Sequence, residues 1–189
     1  NYVSNHPSSI RICTFNRIHI VNIDLKPFTK MVMGIGLSPS LLANVTEAAR
    51  LAKKIAQEIV FVHVAEDDKT SPSEVKKQLE KIDLSGIKHH FIWEKGDISD
   101  IILKTCKEEN ADLLLVGALP REGLLRYYMG SVARQLVRRS NCSIMLLTQP
   151  MRFPKSYHTI VVSGNKHPKT EDTIHKTLEI AEGLQTKQI

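Results

Sequence analysis

The sequence predicts an α/β protein built on a doubly wound, five-stranded parallel sheet. Three observations carry that expectation. Apolar runs of strand length recur along the chain, each is followed by a stretch of helical periodicity, and the joints carry glycine or helix-start residues. The 189 residues suffice for one ordinary domain and part of another. With 42% apolar and 24% charged residues, the composition is that of a soluble globular chain rather than a disordered one.

Residues 1–25 read as a polar tail followed by two alternating runs, Ile10–Phe15 and Ile18–Ile23, which Asn16-Arg17 would turn into a hairpin. The regular pattern starts with Met31–Ile35, a buried strand ending at Gly36. Ser38-Pro39 supplies a cap and first-turn proline for a helix carrying Val45, Ala48, Ala49, Ala52, Ile55 and Ala56 on one face. Ile59–Val64 is the second strand. Ser71-Pro72-Ser73-Glu74 is a capping box, and Val75, Leu79 and Ile82 follow at helical spacing. Ile87–Glu94 alternates, with His89, Phe91 and Trp93 on one side, as expected of a strand with one wetter face at a sheet edge. Asp97 or Ser99 caps a helix running to Asn110. Leu113–Val116 is the fourth strand, Ser131–Ser140 a helix and Ser143–Leu147 the fifth strand. Ligands on such sheets bind beyond the carboxyl ends of the strands, so the loops of interest are Gly36–Ser40, Val64–Thr70 and Gly117–Gly130.

The main domain is expected over residues 26–149, a proline-bearing linker over 150–156, and an incomplete second repeat, one strand and one helix, over 157–189. The repeat shows when Phe28 is laid on Tyr157. Met31-Val32-Met33 then meets Ile160-Val161-Val162, Pro39 meets Pro168, Val45 meets Ile174, and Leu51-Ala52 meets Ile180-Ala181.

Composition removes several function classes. The longest uncharged apolar run, Leu113–Leu119, falls far short of the ~20 residues of a membrane helix. Asn1–Ile10 lacks the pattern of a signal peptide. Three scattered cysteines without CxxC argue against a disulfide framework or zinc site, and for a reducing, cytoplasmic compartment. Lysine plus arginine at 26 against 20 acids gives +6, which favours acidic partners. Nucleic acid is not among them: aromatics are only 5%, and neither a zinc-finger spacing nor a base-stacking aromatic strand is present.

The stretch richest in chemistry runs from Gly117 to Ser131. A buried strand ends at Gly117, residues 118–129 intervene, and Gly130-Ser131 opens the next helix. A helix start beyond a parallel strand offers free backbone donors and a positive dipole end to a phosphate. Ser131 either bonds such a phosphate or caps its own helix. Arg121 and Arg126, in the same stretch, are candidates for anion contact. Arg138 and Arg139 instead suit the C-terminal dipole of their helix. His63 reads as a buried, satisfied core histidine. His89 and His90 point to opposite faces of a strand and cannot chelate one ion together. Cys106 and Cys142 fall in apolar patterns and read as core. Gly34-Ile35-Gly36 admits a dinucleotide turn, with Glu66 or Asp67 as the ribose acid. No spacing points to a catalytic triad or paired carboxylates, so the chain is expected to bind rather than to catalyse.

The segment resembles the universal stress protein family, whose pattern is a strand, G-x2-G-x9-G-[S/T] and a helix. Here it reads Gly117-x2-Pro120-x9-Gly130-Ser131. The resemblance spans Lys30 to Thr148 and includes His63-Val64, Gly96-Asp97 and Ala111-Asp112. It implies strand order 3-2-1-4-5, the adenine nucleotide alpha-hydrolase-like fold, and a regulatory module that takes ATP or AMP. By position, Val64 would touch the adenine through its backbone, Val116 and Gly117 would line the adenosine pocket, and Gly130, Ser131 and Val132 would hold phosphate. Two departures weaken the site. Gly36 stands where the family has an acid, and Pro120 replaces the middle glycine and has no N–H to donate. The alternative within the family is a nucleotide-free structural module, and the resemblance also implies a homodimer through Ser143–Leu147. Such domains occur as cytosolic parts of cation/proton antiporters. The missing initiator Met and the interrupted repeat fit a piece of such a transporter chain.

Overall fold

A computed structural model describes residues 26–65, 72–117 and 130–189. Five strands and five helices follow one another: β1 (Phe28–Ile35), α1 (Leu41–Ile55), β2 (Ala56–Ala65), α2 (Pro72–Leu79), β3 (Lys88–Lys95), α3 (Ile98–Glu108), β4 (Leu113–Gly117), α4 (Ser131–Arg139), β5 (Ser143–Leu147) and α5 (Lys169–Leu184). The sheet order is β3-β2-β1-β4-β5, every neighbouring pair is parallel, and the expected doubly wound class and order are thereby met.

Side chains alternate across the sheet, and each face has its own core. Met31, Met33, Ile59, Phe61, Leu113 and Leu115 face α1 and α2. Val32, Val60, Val62, Leu114 and Val116 face α3 and α4, where Ile102, Cys106, Ala133 and Leu136 meet them. Strands sandwiched this way are apolar on both sides, which is why the central ones read as unbroken apolar runs.

Local chemistry sets the element ends. Asp97 caps α3, its Oδ1 accepting from the Asp100 amide at 2.9 Å. Past that helix Asn110 adopts φ 52, while the amides of Asn110 and Ala111 donate to the carbonyls of Lys107 and Cys106. That is a Schellman closure with asparagine in the left-handed position glycine usually takes. The cap expected at Ser38-Pro39 is displaced. The helix starts at Leu41 with Ser40 in the cap position, its carbonyl accepting from the Asn44 amide at 2.8 Å and its hydroxyl lying 3.2 Å from that of Ser38 rather than capping the helix. β2 begins at Ala56 rather than Ile59, because its pairing with β1 extends back to Phe28 opposite Ala56.

After β5 the chain crosses to α5, which packs beside α1 with Ile180 and Leu184 against the core. The strand expected at Thr159–Ser163 does not join the sheet. Its ladder is a single bridge from Thr159 to Gln188, and Val161 is exposed. A strand needs a partner backbone along its length, and both sides of β1 are already taken by β2 and β4. The expected hairpin over Ile10–Ile23 and the Ser71 end of the capping box lie outside the described residues.

Candidate functional site

The sheet order reverses between β1 and β4, so their carboxyl ends diverge and leave a crevice. A cavity of about 310 Å³ opens there. Its floor comes from the strand ends: Gly34, Ile35 and Gly36 of β1 and its exit, Val62 and Val64 of β2, and Leu115, Val116 and Gly117 of β4. Ile98 and Ile102 of α3 form one wall, and Gly130 with the first turns of α4 forms the other. All six residues singled out in the sequence line this one cavity: Val64, Val116, Gly117, Gly130, Ser131 and Val132.

The helix start supplies the polar side of the site. Gly130 occupies the cap position of α4 with φ −56, so glycine is not required there for its backbone angle. Nor does packing require it: among the described residues a Cβ at Gly130 would meet nothing within 4 Å. Ser131 is the first helical residue, and Gly130, not Ser131, holds the cap position. The first-turn amides of α4 have no intrahelical acceptors, and no acidic residue shares that turn. The arrangement therefore joins an apolar slot to a set of backbone donors at a positive dipole end, suited to a flat apolar ring carrying an anion. Among the described residues, the cavity lining contains no titratable side chain.

Other sequence candidates fall elsewhere. His63 points to the opposite face of the sheet from Val62 and Val64. Its Nδ1 lies 3.0 Å from the Ile35 carbonyl and its ring stands 5.5 Å from Trp93, centroid to centroid. It is buried as expected but only half satisfied, since Nε2 has no partner among the described residues. His90 sits at the other end of the strands, its ring nitrogens 3.1 Å from Glu58 and 3.4 Å from Glu109. Among the described residues no group of three or more His, Cys, Asp or Glu is placed to hold a metal. Glu66, Asp67, Pro120, Arg121 and Arg126 lie outside the described residues.

Sequence reasoning missed the α3 wall and Asn44. The Asn44 amide packs so closely on Gly117 that a Cβ there would fall 3.0 Å from it. Its Nδ2 donates to Ser40 Oγ at 3.3 Å, and its Oδ1 is buried with no partner among the described residues. The available signal was a polar residue at helical spacing between Leu41, Val45 and Ala48, on the core face of α1.

A parallel sheet of order β3-β2-β1-β4-β5 with a crevice at its switch point defines a doubly wound α/β domain. A sequence profile of the universal stress protein family matches residues 27–148, and the chain belongs to that family. It is 25% identical to Universal stress protein MJ0531 of Methanocaldococcus jannaschii over 134 residues, covering 71% of this chain and 74% of that protein. Its fold matches the solved structure of hypothetical protein MJ0577 at a TM-score of 0.54 and 15% identity, over 65% of this chain and 97% of that one. A universal stress protein solved in complex with cAMP aligns at a TM-score of 0.48 and 21% identity, over 64% of this chain and 96% of that one. No described helix is long and apolar enough to cross a membrane.

Proposed function

We propose that this domain is a regulatory module that binds an adenine nucleotide, ATP or AMP, in the β1/β4 crevice. The observation that carries the reading is convergence: the ends of three strands and the open start of α4 meet on one apolar cavity. The ring lies in the slot beside Val64, Val116 and Gly117, and phosphate takes the amides of Gly130, Ser131 and Val132. The module works by binding rather than turnover, because the described lining offers no acid, base or nucleophile beyond the Ser131 hydroxyl. Gly36 and Pro120 hold the affinity down. Space is not the obstacle at the first of these, since a Cβ at Gly36 meets nothing within 4 Å.

Thermal melting with ATP, AMP and cAMP tests the proposal. A ligand at about 100 times its dissociation constant adds roughly 2.7 kcal/mol and raises the melting temperature. Gly36→Asp combined with Pro120→Gly is expected to tighten binding. Ser131→Glu sets a carboxylate at the helix start, favourable by about 0.3–1 kcal/mol to the fold but repelling phosphate. That variant should melt no lower than wild type and lose its nucleotide response. A response it retains would place the nucleotide elsewhere, and no response in wild type or the double variant would end the proposal.

A second reading within the family has its own observation. Among the described residues β5 pairs with β4 alone, which leaves one edge of Ser143–Leu147 without a described partner and fits a homodimer formed along that strand.

A further inference from the structure

We propose that the linker after β5, together with the turn between β1 and α1, is a docking surface for an anionic lipid membrane, on which the domain lies without crossing. The observation is an apolar protrusion interleaved with cations. Residues 151–155 read Met-Arg-Phe-Pro-Lys and belong to no helix or strand. Phe153 is 90% exposed and Met151 43%. Arg152, between them, shares a surface hollow with Leu37 and Leu42 at the start of α1. Leu37 is itself 45% exposed. Two loops distant in the chain therefore bring three protruding apolar side chains to the surroundings of one arginine.

Single exposed apolar residues are ordinary on protein surfaces, whereas a cluster of them marks an interaction site. Charge narrows the kind of partner. Residues 130–170 carry seven Lys or Arg and no Asp or Glu, while the rest of the chain has 19 against 20. The positive balance of the protein thus comes from the stretch that holds the linker, and among the described residues neither Arg152 nor Lys155 is ion-paired.

Shape chooses between an acidic protein and a lipid surface. A protein partner takes apolar anchors into a pocket or offers them to a groove. Here the apolar groups project from two turns and the cations flank them, which suits a soft planar interface. Phenylalanine, methionine and leucine enter the boundary between headgroups and acyl chains, while Arg152 and Lys155 reach lipid phosphates on their aliphatic stems. Each cation held near an anionic leaflet strengthens binding about five-fold, within a Debye length of the surface. One phenylalanine and two cations give reversible attachment. Gly36 lines the nucleotide crevice next to Leu37, but the surface needs no ligand there and stands apart from nucleotide binding.

Sedimentation of the full chain with vesicles tests the proposal. Phosphatidylcholine vesicles with about 30% phosphatidylglycerol should carry the protein down, phosphatidylcholine alone should not, and about 0.5 M salt should release it. Phe153→Ala is expected to weaken binding about ten-fold and Lys155→Gln about five-fold. Lys104→Gln, which removes a charge on α3, should change it less than about two-fold. With Trp93→Phe removing the native indole, Phe153→Trp should shift its emission to the blue on anionic vesicles, as a ring leaving water does. Phe153 and Lys155 are exposed, so these variants should melt with wild type. Wild type that stays in solution with the anionic vesicles overturns the proposal. Binding that Phe153→Ala leaves intact overturns it too, and competition by an acidic polypeptide would then assign the cations to an acidic protein.

Discussion

Asp112 shows how much one side chain organises here. Its Oδ2 accepts from the Thr29 amide at 2.8 Å and its Oδ1 from the Lys30 amide at 3.0 Å, so one carboxylate satisfies the start of β1. Its own backbone continues the stitching, donating to the Lys30 carbonyl and accepting from Ser143 at the start of β5. Asp112→Ala removes the acceptor from both β1 amides, and bonds to a charged acceptor contribute about 1.5–3 kcal/mol each before water replaces part of the loss. Chemical denaturation should show Asp112→Ala less stable by about 2 kcal/mol, with Asp112→Asn in between. A second polar cluster at this end of the strands makes stability depend on pH. Glu58 accepts from Lys88 at 2.9 Å and Glu109 from Lys30 at 2.7 Å, and those lysines hold both carboxyls below the usual glutamate range. The native pKa values are lower than the unfolded one of about 4.3, so their stabilisation is present above that pH and is lost as pH falls through the native values. Glu58→Gln should therefore be less stable than wild type at pH 7, and the two urea curves should converge as pH falls through the lowered native pKa of Glu58. A gap that persists in strong acid would mean that packing, not charge, sets the effect.

At the scale of elements, legibility followed burial. The central strands and α3 were readable because two-sided burial leaves apolar runs, and because the cap at Asp97 is a local device. The helix start at Gly130-Ser131 is a local signal too, whereas Val64, Val116 and Gly117 came to the same cavity lining only through the family resemblance. What could not be read depends on contacts distant in sequence. Ile98 and Ile102 become a cavity wall only once α3 lies beside α4, and Asn44 matters only once α1 sets it against Gly117. The Thr159–Ser163 pattern has strand composition, yet it takes neither sheet edge and makes a single bridge to Gln188. α5 docks by a contact that periodicity does not show. At Gly183 an added Cβ would fall 2.9 Å from the Lys54 carbonyl and 3.2 Å from Ile55 Cγ2. The Lys54 contact is backbone and cannot swing aside. Gly→Ala inside a helix ordinarily gains about 0.5–1 kcal/mol, whereas overpacking costs about 1–3. Overpacking wins here. Gly183→Ala should lower stability by about 1 kcal/mol, and limited proteolysis should release α5 sooner than in wild type. A variant that melts higher would show that α5 is free to shift along α1.

For the molecule as a whole, the two edges of the sheet are unequal. β3 is guarded by charge, with Lys88, Glu94 and Lys95 along an eight-residue strand. β5 has none: Ser143 is followed by Ile144, Met145, Leu146 and Leu147, the first three only half-buried. An unguarded apolar edge is a template for another strand, and among the described residues none takes it, Thr159–Ser163 bridging to Gln188 instead. The partner supported by this asymmetry is a second copy of the chain. In the homodimer proposed above, a two-fold axis would bring identical edges together with the two β5 strands antiparallel, joining two five-stranded sheets into one. Light scattering at ~100 µM should return about twice the 21.3 kDa chain mass, because a micromolar or tighter dimer, roughly 8 kcal/mol, is populated there. Leu146→Lys puts a charge on the shared edge and should return a monomer, while charge reversal on β3 by Lys88→Glu should leave the mass unchanged. If wild type is monomeric at that concentration and Leu146→Lys alters neither mass nor stability, β5 is not an interface, and the open edge is protected in some other way.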